Sequence, residues 1–171
     1  MNHYRQYFNS LSKKATFTKV WFLPTLITLG ISRIIILTIN FRRLAPYLGH
    51  PIGIKACTCL ISPEQEIRAL QISHVIRVAS QYSPWIANCF PQAVTARVIL
   101  GFFNIPYTLY FGLAKDPENK KFIAHAWVTA GKVAVTGGHG FSEYTIVGCY
   151  LSKAGYRNIS PYHKKQKNRF H

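Results

Sequence analysis

Two short pieces decide how this chain can fold: NCFPQA at residues 88–93 and FIAHAWV at residues 122–128. The first is typical of a helix start, because Asn88 is a favourable N-cap and Pro91 fits the first turn, where a backbone N–H has no helical partner anyway. The second is typical of a strand bounded by a polar loop. A cysteine nucleophile needs a thiol at the head of a helix and a histidine on a later strand, so Cys89 and His125 form the candidate catalytic pair.

On position alone, Cys89 and His125 could each have a purely structural role instead. At the first helical position, exposed N–H groups and the helix dipole stabilise a thiolate, but a small buried cysteine is at least as common there. Strand alternation puts Ile123, His125 and Trp127 on one face and Ala124, Ala126 and Val128 on the other. Small residues beside a histidine leave room for a substrate backbone, although they equally suit sheet packing.

The segments on either side predict a mixed α and β domain. SPEQE at residues 62–66 has N-cap chemistry and predicts a helix that runs to about Gln81. Apolar residues at helical spacing indicate one buried face, formed by Ile72, Val75, Ile76 and Ala79. A second apolar stripe suggests that the helix is buried on two sides, and it consists of Ile67, Leu70 and Val78. His74, which lies on the second stripe, has no partner motif and favours a structural role.

Further strands are predicted at 107–113, 122–129 and 132–135, the last two antiparallel across a tight turn. Residues 50–61 are predicted to form a loop, and residues 141–150 a last strand or helix. The glycine-rich GGHG at 137–140 lacks the strand-to-helix context of a phosphate-binding motif.

The N-terminal part contains an apolar run, residues 20–41, broken by Pro24, Gly30 and Arg33. It has about the length that a bilayer requires, but Arg33 inside a membrane would be costly. Three interpretations stay open: a helix packed on the domain or a partner, an interfacial helix, and a spanning helix. We therefore divide the chain into an N-terminal helical segment (1–50), a catalytic domain (51–152) and a basic tail (153–171).

The charge is strongly positive, with 21 Lys and Arg against 5 acids and a net charge of +16. Such a surface favours an anionic partner, including an anionic membrane surface. Nucleic acid is not expected, because aromatic residues do not alternate with basic ones and no helix-turn-helix or zinc-finger spacing appears. No cleavable signal peptide is evident, so we expect a cytoplasmic protein, with association with a membrane as the alternative. Its four cysteines are then expected to be free, and no metal or cofactor is expected, since the Cys57-x-Cys59 pair lacks a second pair.

The order of these pieces resembles the transglutaminase-like cysteine peptidases, and within them the stand-alone, B2-type leader peptidase of lasso-peptide biosynthesis. The resemblance runs over about residues 20–137 and is carried by FRRLA (41–45), CFPQA (89–93), FNIP (103–106), GLAKDP (112–117) and AHAWV (124–128).

This resemblance implies an α+β, papain/transglutaminase-like fold in which a helix bearing the nucleophile packs on a small antiparallel sheet. It implies that Cys89 attacks a peptide carbonyl, that His125 accepts and returns the proton, and that water hydrolyses the thioester. The implied partners are a precursor peptide of leader and core, a leader-recognition protein, and the lasso cyclase that acts on the freed core amine.

One feature departs from the family. In that family, the third catalytic residue is an acid about twelve residues after the histidine. The corresponding segment here, VTGG (135–138), contains no acid. Thr136, a backbone carbonyl or Glu143 are the candidates to orient His125. Two alternative functions remain: an acyl transferase that uses the same Cys–His pair, and a non-catalytic cationic scaffold in a maturation complex.

Overall fold

The computed structural model describes residues 2–116, 121–138 and 143–157, and the side chains from Thr16 onward. Within these residues the main elements are, in chain order, α1 (Asn2–Thr38), α2 (Phe41–Leu48), β1 (His50–Gly53), α3 (Pro63–Gln81), α4 (Cys89–Phe102), β2 (Thr108–Lys115), β3 (Phe122–Ala130), β4 (Val133–Thr136) and β5 (Thr145–Leu151). A short helical turn follows at residues 153–157. The predicted α+β class, with an apolar N-terminal helix and a small antiparallel sheet, is confirmed.

The five strands form one antiparallel sheet in the order β1-β5-β2-β3-β4. β2 pairs along its whole length with β3, and Gly112 of β2 lies opposite His125 of β3. β4 returns beside β3 through the short turn at Gly131, whose φ of 56° suits a glycine. Of the segment predicted as a last strand or helix, residues 145–150 belong to β5, whereas residues 141–142 lie outside the described residues. The predicted loop at 50–61 begins with the short edge strand β1.

The two faces of this sheet have different neighbours. Leu109, Ala126 and Val128 belong to the main core, together with the buried residues of α3 and α4. Tyr110 and Trp127 point the other way and form a second, smaller cluster with Cys149. The alternation predicted for residues 123–128 is therefore confirmed, and the face opposite the main core carries its own smaller aromatic cluster.

α3 begins as its sequence predicts. The Ser62 side chain accepts a hydrogen bond from the backbone N–H of Gln65, and the Gln65 side chain accepts one from the Ser62 N–H. This reciprocal capping box, with Pro63 at the first helical position, fixes the start of the helix. The predicted buried face is confirmed, since Ile72, Val75, Ile76 and Ala79 are all buried.

The predicted second apolar stripe of α3 is wrong for Ile67 and Leu70, whereas Val78 is half-buried. Ile67 and Leu70 are 53% and 46% exposed, and His74 on the same side is exposed and hydrogen-bonded with Arg77. α3 packs against α1, α4 and β4, and these neighbours cover only its other side. Spacing shows which residues share a face, but not whether another element covers that face.

α1 is one continuous helix that runs through Pro24. A proline inside a helix removes one hydrogen bond and costs about 3 kcal/mol. Packing along α3 and α4 offsets this cost, and one side of the helix is buried through Phe17, Thr25, Leu29 and Ser32. The hydroxyls of Ser32 and Thr95 lie 3.2 Å apart and join α1 to α4.

Candidate active site

The candidate nucleophile lies where the sequence predicts it. Cys89 is the first residue of α4, and its side chain is half-buried. Asn88 has the extended backbone of an N-cap, but its side chain makes no capping hydrogen bond. The Gln92 amide instead donates to the carbonyl of Ala87 at 2.7 Å, which ties the chain before Cys89 to the first turn. No side chain caps this helix start, so its first backbone N–H groups are left to other acceptors.

The start of α4 lies beside the strands that carry His125. The ring of Phe90, the residue after Cys89, lies against the ring of Phe111 on β2, with centroids 5.3 Å apart. Phe111 precedes Gly112, the cross-strand partner of His125. The elements that carry the predicted pair are thus brought together, with α4 packed on β3.

The two side chains leave this interface in different directions. α4 packs on the sheet face that carries Ala126, whereas the imidazole of His125 projects from the other face. There it lies beside the rings of Trp127 and Tyr144, with centroids 5.8 Å and 4.8 Å away. The assignment of Cys89 and His125 as a catalytic pair stays a prediction, whose test is given in the Discussion.

The partner of the imidazole is a backbone carbonyl. Nε2 of His125 lies 2.9 Å from the carbonyl oxygen of Gly137, twelve residues further along the chain. In the family that the sequence resembles, an acid is expected at this same separation of twelve residues from the histidine. Of the three candidates named for orienting His125, the backbone carbonyl is the one that contacts it; the Thr136 hydroxyl is buried without a hydrogen-bond partner in the described part of the chain.

The local backbone explains why no acid stands at this position. Gly137 has a φ of 96°, a conformation that residues with a side chain rarely adopt. A Cβ built there would overlap the Cβ of Trp127 and come within 3.3 Å of Nε2 of His125. An aspartate therefore does not fit, and the chain offers the imidazole its main chain instead of a carboxylate.

Gly137 and Tyr144 were not singled out from the sequence. The sequence contains a hint of the role of Gly137, because this residue stands at the position where the family has an acid. A glycine, however, has no side chain that would suggest a role. Tyr144 reaches His125 from the segment just before β5, and no periodicity links that segment to residue 125. Residues 139–142, which include the histidine of the glycine-rich loop, lie outside the described part of the chain.

The other cysteines differ from Cys89 in their surroundings. Burial raises the pKa of Cys149 to about 11 and also raises the pKa of Cys59, and both side chains are buried. All four cysteines are free, and no cluster of three or more potential metal ligands occurs among the described residues. The Cys57–Cys59 segment instead serves the sheet, because the Cys57 carbonyl accepts hydrogen bonds from Thr108 and Tyr110.

We expect alkylation to separate these thiols. Only the thiolate reacts, so at pH 8 iodoacetamide should modify Cys89 well before Cys59 and Cys149, whose raised pKa keeps them protonated. Raising the pH toward 11 should bring Cys149 into reaction last. Peptide mass mapping after timed quenching measures this order, and a Cys89 that reacts no faster than the two buried thiols would contradict it.

Comparison with known proteins agrees with this architecture. The sequence profile of the transglutaminase-like superfamily matches residues 35–148, which is well over half of the chain and includes both Cys89 and His125. No curated protein and no solved structure matches the chain significantly. With a cysteine at the head of a helix packed on an antiparallel sheet that bears a histidine, the chain belongs to the transglutaminase-like superfamily.

Proposed function

We propose that this protein is a cysteine peptidase that removes the leader from a ribosomally synthesised lasso precursor peptide before macrolactam cyclisation. The superfamily includes cysteine peptidases and acyl transferases, so membership supports thiol chemistry in general. The observation that carries the proposal is the placement of Cys89 at an uncapped helix start beside the strands that carry His125. The narrower assignment to lasso precursors rests on the resemblance of the motifs between residues 41 and 128.

The carbonyl of Gly137 determines how His125 would act. A carbonyl oxygen only accepts hydrogen bonds, so Nε2 of the neutral ring carries the proton and Nδ1 is left as the basic nitrogen. In the proposed reaction, Nδ1 takes the thiol proton of Cys89 as the sulfur attacks the peptide carbonyl. Because the ring projects from the opposite face of the sheet, this transfer requires the imidazole to turn toward the start of α4 or one water to relay the proton. The imidazolium then protonates the leaving amine, which is the new N-terminus of the core peptide. Water hydrolyses the thioester and regenerates the thiol.

A carbonyl is a weaker partner than a carboxylate. It holds the ring in one tautomer, but it contributes a dipole rather than a full negative charge to the imidazolium. The proposal therefore describes a peptidase that is slower than an enzyme with a complete triad. Such an enzyme suits a task in which a leader-recognition protein presents each precursor and a separate cyclase consumes the product.

The oxyanion of the tetrahedral intermediate needs donors close to Cys89. The uncapped first turn of α4 supplies backbone N–H groups, and that of Cys89 is the proposed first donor. Pro91 contributes none, because a proline has no N–H.

The same thioester could instead pass its acyl group to an amine. The experiment that tests the proposal is mass spectrometry of a candidate precursor incubated with this protein and its leader-recognition partner, with and without an added primary amine. Two free fragments in both reactions support a peptidase. A product joined to the amine would support the acyl transferase, and an unchanged precursor in both would support the non-catalytic scaffold.

We also propose that the protein is cytoplasmic and binds anionic membrane surfaces through α1. Among the described residues, α1 is the one helix long and apolar enough to cross a membrane, over Thr16–Thr38. Large aliphatic side chains at helical spacing line its outer side and are each more than half exposed: Val20, Leu23, Ile27, Ile31, Ile34 and Leu37. Because the opposite side packs on α3 and α4, an interfacial position fits better than a spanning one.

The charges at both ends of this stripe complement anionic lipids. Lys19 lies at one end, and Arg42 and Arg43 follow at the other, all exposed. We expect the protein to co-sediment with vesicles that contain phosphatidylglycerol and to bind pure phosphatidylcholine vesicles less well. Ile27→Gln/Ile34→Gln should reduce sedimentation strongly, whereas the matched variant Ile54→Gln/Ile86→Gln, at exposed isoleucines outside the stripe, should not. Equal loss in both variants, or binding that ignores lipid charge, would argue against this membrane role.

A further inference from the structure

A second concave site lies at the other end of α4, away from Cys89. Its main cavity, of about 500 Å³, lies between α2, the last two turns of α4 and residues 152–157. A neighbouring cavity of about 370 Å³ extends toward the start of α3, and the two share Asn104, Ala154 and Arg157. Together they form one groove, which we call the α4 groove. The main cavity has the volume of a typical ligand site. The two cavities together are much larger than a single small ion would need.

The α4 groove is strongly basic. Arg97, Lys153 and Arg157 line it, and no aspartate or glutamate is among its lining residues in the described part of the chain. The guanidinium of Arg97 hydrogen-bonds with the Tyr107 hydroxyl, but its Nε atom is buried and has no hydrogen-bond partner there. A buried guanidinium nitrogen without an acceptor is costly, since buried polar groups are normally paired. Three cations without a lining carboxylate indicate that an anionic ligand belongs in this groove.

The aromatic rings of the groove argue against a nucleic acid as this ligand. Single-stranded nucleic acids need open ring faces on which bases can stack. The ring of His50 is instead stacked on Tyr156, with centroids 4.4 Å apart, and Tyr107 is buried with its hydroxyl donating to the carbonyl of Leu48. Among the described lining residues, Tyr47 is the one ring that stays largely open, at 68% exposed, so a run of stacked bases would find a single platform here.

The form of the groove favours an extended peptide over a free anion. All three cations line the main cavity, and Arg157 also lines the second, where Leu60 and Ile61 add apolar surface that a free inorganic anion would not use. We propose that the α4 groove binds an acidic segment of an extended peptide, whose carboxylates pair with Arg97, Lys153 and Arg157. Arg97 lies eight residues after Cys89, about 12 Å along the helix, so this segment would be held apart from the proposed scissile bond. The inference goes beyond leader removal and does not depend on it, because binding needs no cleavage.

The test measures binding of a fluorescein-labelled peptide of alternating glutamate and alanine by fluorescence anisotropy, at physiological ionic strength. Lys153→Gln/Arg157→Gln removes two exposed cations from the groove. The matched control Arg77→Gln/Lys132→Gln removes one arginine and one lysine that are equally exposed but lie elsewhere. We expect the groove variant to bind at least about tenfold more weakly than wild type, and the control to stay close to wild type. Thermal unfolding of both variants checks that the fold is unchanged.

Three results would overturn the inference. Equal losses in the groove variant and the control would mean that net charge alone attracts the peptide. Displacement of the peptide by inorganic phosphate at equal concentration would mean that the groove is a site for a free anion. Tighter binding of a single-stranded RNA oligonucleotide, lost in the same groove variant, would assign the site to nucleic acid. Arg97→Lys adds a check on geometry, because it keeps the charge but loses the planar guanidinium, and should weaken binding less than Arg97→Gln.

Discussion

Cys89→Ala and His125→Ala should each abolish removal of the leader while leaving the protein folded. The first substitution removes the only group proposed to form the thioester, so no product above background is expected. The second removes the proposed general base, a role that contributes roughly 10²–10⁴-fold to rates in other enzymes. Cys89 and His125 are only half-buried, and neither belongs to the main core, so stability should change little. Mass spectrometry of the precursor, with thermal unfolding beside it, measures both outcomes.

Cys57→Ala is the matched control for the thiol. Cys57 is also half-buried, but its contribution to the sheet comes from its backbone carbonyl, which alanine retains. This variant should cleave like wild type. Full activity of His125→Ala would show that the imidazole on the far face of the sheet is not the base for Cys89, and the peptidase mechanism would then need another proton acceptor.

Gly137→Ala should lower both the rate of cleavage and the stability of the fold. The added Cβ would overlap Trp127, and alanine would be forced into the positive φ that glycine adopts freely. Strain of this kind costs on the order of 1–3 kcal/mol. Relief of the overlap must move the carbonyl that holds Nε2 of His125, so the rate should fall even at temperatures where the variant is fully folded. Thermal unfolding and kcat/KM at such a temperature measure the two effects separately.

Gly138→Ala is the control that separates backbone strain at a positive φ from the steric overlap with Trp127. Gly138 also has a positive φ, of 63°, but a Cβ there meets no other atom within 4 Å. It should share some loss of stability with Gly137→Ala and keep most of the activity. If Gly137→Ala cleaves as fast as Gly138→Ala, the carbonyl of Gly137 does not position His125.

Local sequence signals predicted most of the elements that carry the candidate site. The capping box at Ser62 and the helix start at Asn88 depend on groups within a few residues, so these starts follow from the sequence alone. The strand around His125 follows in the same way from its alternation and its flanking loop. The family resemblance added the order of these elements, which the superfamily profile supports.

Features that depend on distant neighbours could not be predicted. The role of Gly137 requires the pairing of β3 with β4 and the position of Trp127, which no local pattern contains. The exposure of Ile67 and Leu70 depends on where α1 and β4 pack against α3. The continuity of α1 through Pro24 similarly depends on support from two other helices, which a propensity scale does not include.

The strand order of the sheet has a consequence for how the chain folds during synthesis. β5 is the last strand in sequence, yet it lies between β1 and β2 and joins them. Until residues 145–151 have left the ribosome, β1 has no partner and one edge of β2 carries unpaired backbone groups. Between the synthesis of β2 and that of β5, the nascent chain therefore presents an aggregation-prone edge, and the sheet closes only once residues 145–151 are available. A chaperone that shields β2 during this interval should raise the yield of folded protein more than it raises the stability of the finished fold.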